Sequence, residues 1–143
     1  MSGPVRVALR WREGLRLEAG APGGPSITVD GEGHEGPSPM QLLLAAVGGC
    51  TGADVIDILR KGRQPVEGLE VEVSGRRRDE LPRRYTQLRL VYRIRGEVDQ
   101  TRAERAVSLS LEKYCSVLHS LAADLRESAE VEVRVVAGEP AGP

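Results

Sequence analysis

Val5, Val7, Leu9 and Trp11 alternate with Arg6, Ala8 and Arg10, the period-two pattern of a half-buried strand. A turn at Arg12-Glu13-Gly14 leads to Leu15-Arg16-Leu17 and then, past the punctuating Gly20 to Pro25, to Ser26-Ile27-Thr28-Val29. Asp30 to Pro37 is a polar, Gly-rich loop. Ser38-Pro39-Met40-Gln41 then places a capping Ser before Pro, with a Gln closing a capping box, and predicts a helix to about Lys61. The first half of that helix, Leu42 to Val47, has no polar face, so it must be covered all round. Gly48, Gly49 and Gly52 follow; a helical Gly costs about 1 kcal/mol relative to Ala, and close approach of another backbone is the usual compensation. A partner subunit is the expected cover.

Alternation resumes at Leu69, Val71 and Val73, and again at Leu88, Leu90, Tyr92 and Ile94, where Val91 interrupts it. The charged stretch Arg76 to Arg84 between them reads as a hairpin loop. Thr101-Arg102-Ala103-Glu104 is a second capping box, opening a helix to roughly Lys113. A further helix is expected from about Ser116 to Arg126, with Val117, Leu118, Leu121 and Leu125 on one side, and a strand through Val131, Val133 and Val135. The Pro/Gly-rich end, Gly138 to Pro143, is expected to fray. The order of elements predicts an α+β fold in a single domain, residues 1–143.

Composition narrows the function classes. With no Phe, a single Trp and three Tyr, the core must be built from Leu, Val, Ile and Ala. Twenty basic residues nearly balance twenty-one acidic ones, for a net charge of −1, so no global field draws the chain to nucleic acid or anionic lipid. No secretory signal is recognisable at the start, and the longest apolar run, Leu42 to Val47, is too short to span a bilayer. A cytoplasmic protein without membrane or nucleic-acid partners is expected, and in that compartment its two cysteines are reactive or buried thiols rather than a permanent disulfide.

Cys50, in the apolar helix, reads either as a small core hydrophobe or as a reactive thiol. Cys115 lies between two helical stretches, so it is either a cap residue or a thiol whose pKa is lowered at a helix N-terminus. Asp54, four residues after Cys50, opposes a thiolate there. His119 is one turn beyond Cys115, but no Cys-x-x-Cys knuckle accompanies the pair and no metal is expected; a partly exposed helix residue is the simpler reading. His34, in the Gly-rich loop, reads as solvated.

The run Ser38-Pro39-Met40-Gln41-Leu42-Leu43-Leu44-Ala45-Ala46-Val47-Gly48-Gly49-Cys50-Thr51 resembles the central-helix motif of the OsmC/Ohr family, and Leu111-Glu112-Lys113-Tyr114-Cys115-Ser116-Val117 resembles its second-cysteine motif. The resemblance spans nearly the whole chain. It implies antiparallel sheets wrapped around long central helices in an intertwined homodimer, with active sites at the subunit interface. It further implies that Cys50 is the peroxidatic thiolate toward an organic hydroperoxide, that Cys115 resolves the resulting sulfenic acid to a disulfide, and that an external dithiol reduces it, with no cofactor. The best-studied members carry a Glu after the helix-opening Pro, paired with an N-terminal Arg. Here that position is Met40 with Gln41 beside it, and Arg16, after the first hairpin turn, is the matching Arg. This departure places the chain nearer the family's less characterised branch. The competing readings are a non-peroxidatic dimer that binds a small molecule or persulfide, or senses redox state, and a zinc-bound dimer.

Overall fold

The computed structural model describes residues 3–138. The chain divides into two units, Met1–Leu43 and Leu44–Pro143, with the boundary inside one continuous helix.

The first unit carries a three-stranded antiparallel sheet in the order β1 (Ala8–Glu13), β2 (Arg16–Gly20), β3 (Ser26–Asp30). Gly14 turns the first hairpin at φ +54°, a conformation that favours glycine. The strand expected from Val5 starts only at Ala8, because Ala8 pairs with Gly20, where β2 ends and the ladder runs out of partners. Nor is β1 half-buried: all of it is exposed, Leu9 and Trp11 included. After β3 the loop winds around Asp30, whose carboxylate accepts the backbone N–H groups of Glu32 at 2.9 Å, Glu35 at 3.0 Å and His34 at 3.3 Å. The Glu35 and Glu32 donors hold the Asp30 carboxyl below the usual range. Its contribution to stability is therefore present above the ordinary carboxylate pKa and is lost as pH falls through the lowered value. Asp30→Ala is expected to speed amide exchange at Glu32 and Glu35 at neutral pH. Unchanged exchange would contradict the assignment of Asp30 as the organiser of this loop.

The long helix α1 runs over Pro39–Lys61 as expected, and its capping box forms: the Ser38 N–H donates to Gln41 Oε1 at 2.9 Å and the Gln41 N–H to Ser38 Oγ at 3.2 Å. In the second unit α1 buries Val47, Thr51, Val55 and Leu59. The glycines contribute differently from expectation. A Cβ on Gly48 would meet Val73 at 3.1 Å and one on Gly52 would meet Val71 at 3.4 Å, so both let the helix settle on its own sheet. Gly49 has nothing within 4 Å, and Ala45, Ala46 and Ala53 share its exposure. By length and composition α1 as a whole, unlike the short run within it, would suffice to cross a membrane, a test that core helices of soluble proteins also pass.

The second sheet has the order β4 (Val66–Arg77), β5 (Tyr85–Gly96), β6 (Glu130–Val136). β4 and β5 are antiparallel, but β6 runs parallel to β5, so this sheet is mixed rather than antiparallel. Arg76 and Arg77, expected in the loop, extend β4 because they pair with Gln87 and Tyr85. As the central strand β5 buries Leu88, Leu90, Tyr92 and Ile94 on one face and Val91 on the other, which explains the interrupted alternation.

Helix α2 (Gln100–Leu109) starts before Thr101: Asp99 is its cap, accepting the Arg102 N–H at 3.0 Å, while Glu104 instead accepts from the Gln100 side chain at 2.9 Å. It continues into a π-helical turn, Ser110–Tyr114. The single helix expected over 116–126 is two short ones, α3 (Ser116–His119) and α4 (Ala123–Glu127). The break falls at Ser120, whose hydroxyl donates to the Ser116 carbonyl at 2.8 Å and competes with helix continuation. Residues 139–143, expected to fray, lie outside the described residues.

Candidate active site

Both cysteines belong to the second unit and lie near enough for Cys50 to act on the Cys115 thiol. Cys50, on α1, is partly exposed, whereas Cys115 is fully buried; neither is in a disulfide. Cys115 is placed by the π-helical turn, in which its N–H reaches back to the Ser110 carbonyl at 2.8 Å, and by its own role as the cap of α3, where its sulfur accepts the Leu118 N–H at 3.2 Å. The helix N-terminus is thus where the sequence put it, but its electrostatic effect is overruled. Burial pushes the Cys115 thiol up to about 11; the Leu118 N–H opposes this, while the neighbouring Cys50 and the Asp54 charge reinforce it. Cys115 therefore stays protonated at neutral pH.

A buried polar network supports the pair. The Tyr92 hydroxyl, rising from β5, donates to Thr51 Oγ1 at 2.8 Å, and the Thr51 hydroxyl donates to the Val47 carbonyl at 2.8 Å. Burial, above all, raises the Tyr92 pKa to about 12, so the phenol is neutral. Asp54, half-buried one turn beyond Cys50, accepts the Ser110 hydroxyl at 2.8 Å. Ser110 had no signature in the sequence, and Thr51 and Tyr92 stood in the helix motif and the alternating strand without an assigned role. The one available hint was an aromatic with a polar tip on the inward face of an otherwise aliphatic strand.

The other expected residues have separate partners. Arg16, on β2, is ion-paired with Glu13, and Gln41 closes the α1 capping box; both belong to the first unit. His119 is exposed, with its Nε2 at 3.0 Å from the Leu111 carbonyl oxygen. Among the described residues no group of three or more metal-ligating side chains converges. His34 lies in the loop that Asp30 organises.

Similarity to known proteins agrees with the motifs. Residues 31–135 match the family described as OsmC-like protein. Protein YhfA of Escherichia coli K12 is 40% identical over 131 residues, covering 89% of this chain and 98% of the relative. The crystal structure of a hypothetical protein from Aquifex aeolicus VF5 superposes with a TM-score of 0.86 at 32% identity, covering 96% of this chain and all of the other. The organic hydroperoxide resistance protein OhrB of Bacillus subtilis shares the fold, with a TM-score of 0.60 at 18% identity over 94% of this chain and 98% of that one. On its matched span and its identity to these relatives, the chain belongs to the OsmC-like protein family.

Proposed function

We propose that the protein is a thiol-dependent peroxidase that reduces organic hydroperoxides. The observation that carries this reading is the pairing of a partly exposed thiol with a buried one near enough for the first to act on the second. Cys50, as the thiolate, attacks the terminal oxygen of the hydroperoxide; the O–O bond breaks, and the alkoxide leaves as the alcohol after taking a proton. Cys50 is left as a sulfenic acid, oxidised by two electrons. Cys115 then forms an S–S bond to Cys50 as the S–O bond breaks, and hydroxide departs with the Cys115 proton as water. An external dithiol, available in the cytoplasm, reduces the disulfide by exchange. No metal or cofactor takes part. Steady-state consumption of cumene hydroperoxide with a dithiol reductant tests the reading. Turnover well above that of free cysteine supports it, and a rate equal to free cysteine rejects it.

The working form is proposed to be a homodimer. The exposed Ala46, Gly49 and Ala53 form a narrow stripe of small residues on α1 that a second copy of the helix can approach closely. Sedimentation should give a mass near twice the 15.4 kDa of the chain, and Gly49→Leu should shift it toward the monomer. A monomeric parent protein would remove the dimer from the account.

One observation favours a second reading, a non-peroxidatic thiol pair that binds a small molecule or senses redox state. The charged side chain acting on Cys115 is a carboxylate, Asp54, which disfavours thiolates. In that case Cys50→Ser would change stability but not peroxide consumption.

A further inference from the structure

Ser110 is bonded at both ends. Its hydroxyl donates to Asp54 Oδ2 at 2.8 Å, and its carbonyl accepts the Cys115 N–H at 2.8 Å. Asp54 stands one helical turn beyond Cys50 on α1, and Cys50 is a neighbour that acts on the Cys115 thiol. These links close a ring: Cys50, the α1 backbone, Asp54, Ser110, Cys115 and back to Cys50. The Cys115 bond to Ser110 belongs to the π-helical turn, and with only the four-residue α3 beyond it neither element is a stiff support, so the Asp54 bond is a long-range tie on the turn that carries Cys115. Ser110 is fully buried, so its hydroxyl needs the carboxylate as acceptor.

We propose that Asp54 and Ser110 are a positioning pair that fixes Cys115 against Cys50 and thereby sets how readily the two sulfurs join. The inference rests on the thiol pairing proposed above and extends it to residues outside the reacting atoms. A disulfide tolerates only a narrow range of Cα separations, so a small drift of the turn that carries Cys115 weakens the bond. The joining step itself is unchanged: the Cys115 sulfur bonds to the Cys50 sulfur as the S–O bond of the Cys50 sulfenic acid breaks and hydroxide leaves with the Cys115 proton as water. In glutathione buffer the Cys50–glutathione disulfide breaks instead, and glutathione leaves as the thiol.

The test is equilibration of the full-length protein in glutathione redox buffers, with the Cys50–Cys115 disulfide measured by mass spectrometry after acid quenching. Asp54→Ala and Ser110→Ala are each expected to lower the disulfide equilibrium constant about tenfold, a rise in reduction potential of about 30 mV. Asp54→Asn keeps an oxygen that accepts from Ser110 and should remain within about threefold of the parent, which a general loss of packing would not reproduce. Parent-like equilibria in both alanine variants overturn the proposal, as does an Asp54→Asn protein as impaired as Asp54→Ala. Absence of the disulfide in the parent overturns it too. Because no peroxide is used, a failure of peroxidase activity is read separately from a failure of this pair.

Discussion

Cys50→Ser is expected to lower organic hydroperoxide turnover on the order of a thousandfold or more, since a serine hydroxyl without a strong base is a poor nucleophile at neutral pH. Cys115→Ser should behave differently. Its first reaction with peroxide should match the parent, and the cycle should then halt with Cys50 as a sulfenic acid that dimedone traps. The contrast follows from burial. Cys50 is partly exposed, whereas Cys115 is fully buried with Cys50 acting on its thiol, so its natural reaction partner is that sulfur. The variant should also fold, because serine is a favoured cap and can accept the Leu118 N–H in place of the thiol. Equal loss of the first reaction in both variants would remove the division of roles between the cysteines.

The second large effect is on stability. Thr51→Val leaves the buried Tyr92 hydroxyl without its acceptor and should cost about 1–3 kcal/mol, read as a lowered denaturant midpoint. Tyr92→Phe should cost less, because Thr51 retains its bond to the Val47 carbonyl. The double variant should then lie close to Tyr92→Phe alone, since no orphaned hydroxyl remains, giving a coupling energy as large as the Thr51→Val cost, about 1–3 kcal/mol. Strictly additive effects would show that the Tyr92–Thr51 bond does not support the site. The network ties β5 to α1 at Thr51, the residue after Cys50, so loosening it should also slow disulfide formation between the cysteines.

Much of the frame was legible in the sequence because its signals are local. The Ser38 and Gln41 capping box marked the start of α1, and alternation marked β4, β5 and β6. Alternation does not encode strand direction, however, so the parallel pairing of β6 with β5 could not be read. At α2 the Thr101 box competed with Asp99, whose carboxylate caps the helix in practice. The glycines of α1 signalled close packing correctly at Gly48 and Gly52, but against side chains of β4 rather than another backbone. Both cysteines were singled out from their motifs. The electrostatics of Cys115 were not, because a helix N-terminus is visible in sequence and complete burial is not. The Tyr92–Thr51 and Asp54–Ser110 bonds join residues far apart in the chain, and no periodicity carries such contacts.

The central claim is that Cys50 and Cys115 work as a peroxidatic pair. Stopped-flow mixing of the reduced protein with one equivalent of cumene hydroperoxide, followed by acid quenching and peptide mass spectrometry, tests it most directly. The account predicts rapid loss of both thiols in each chain and a Cys50–Cys115 disulfide within the same chain. Oxidation no faster than that of free cysteine, or a sulfenic acid on Cys50 that never passes to Cys115, would contradict it.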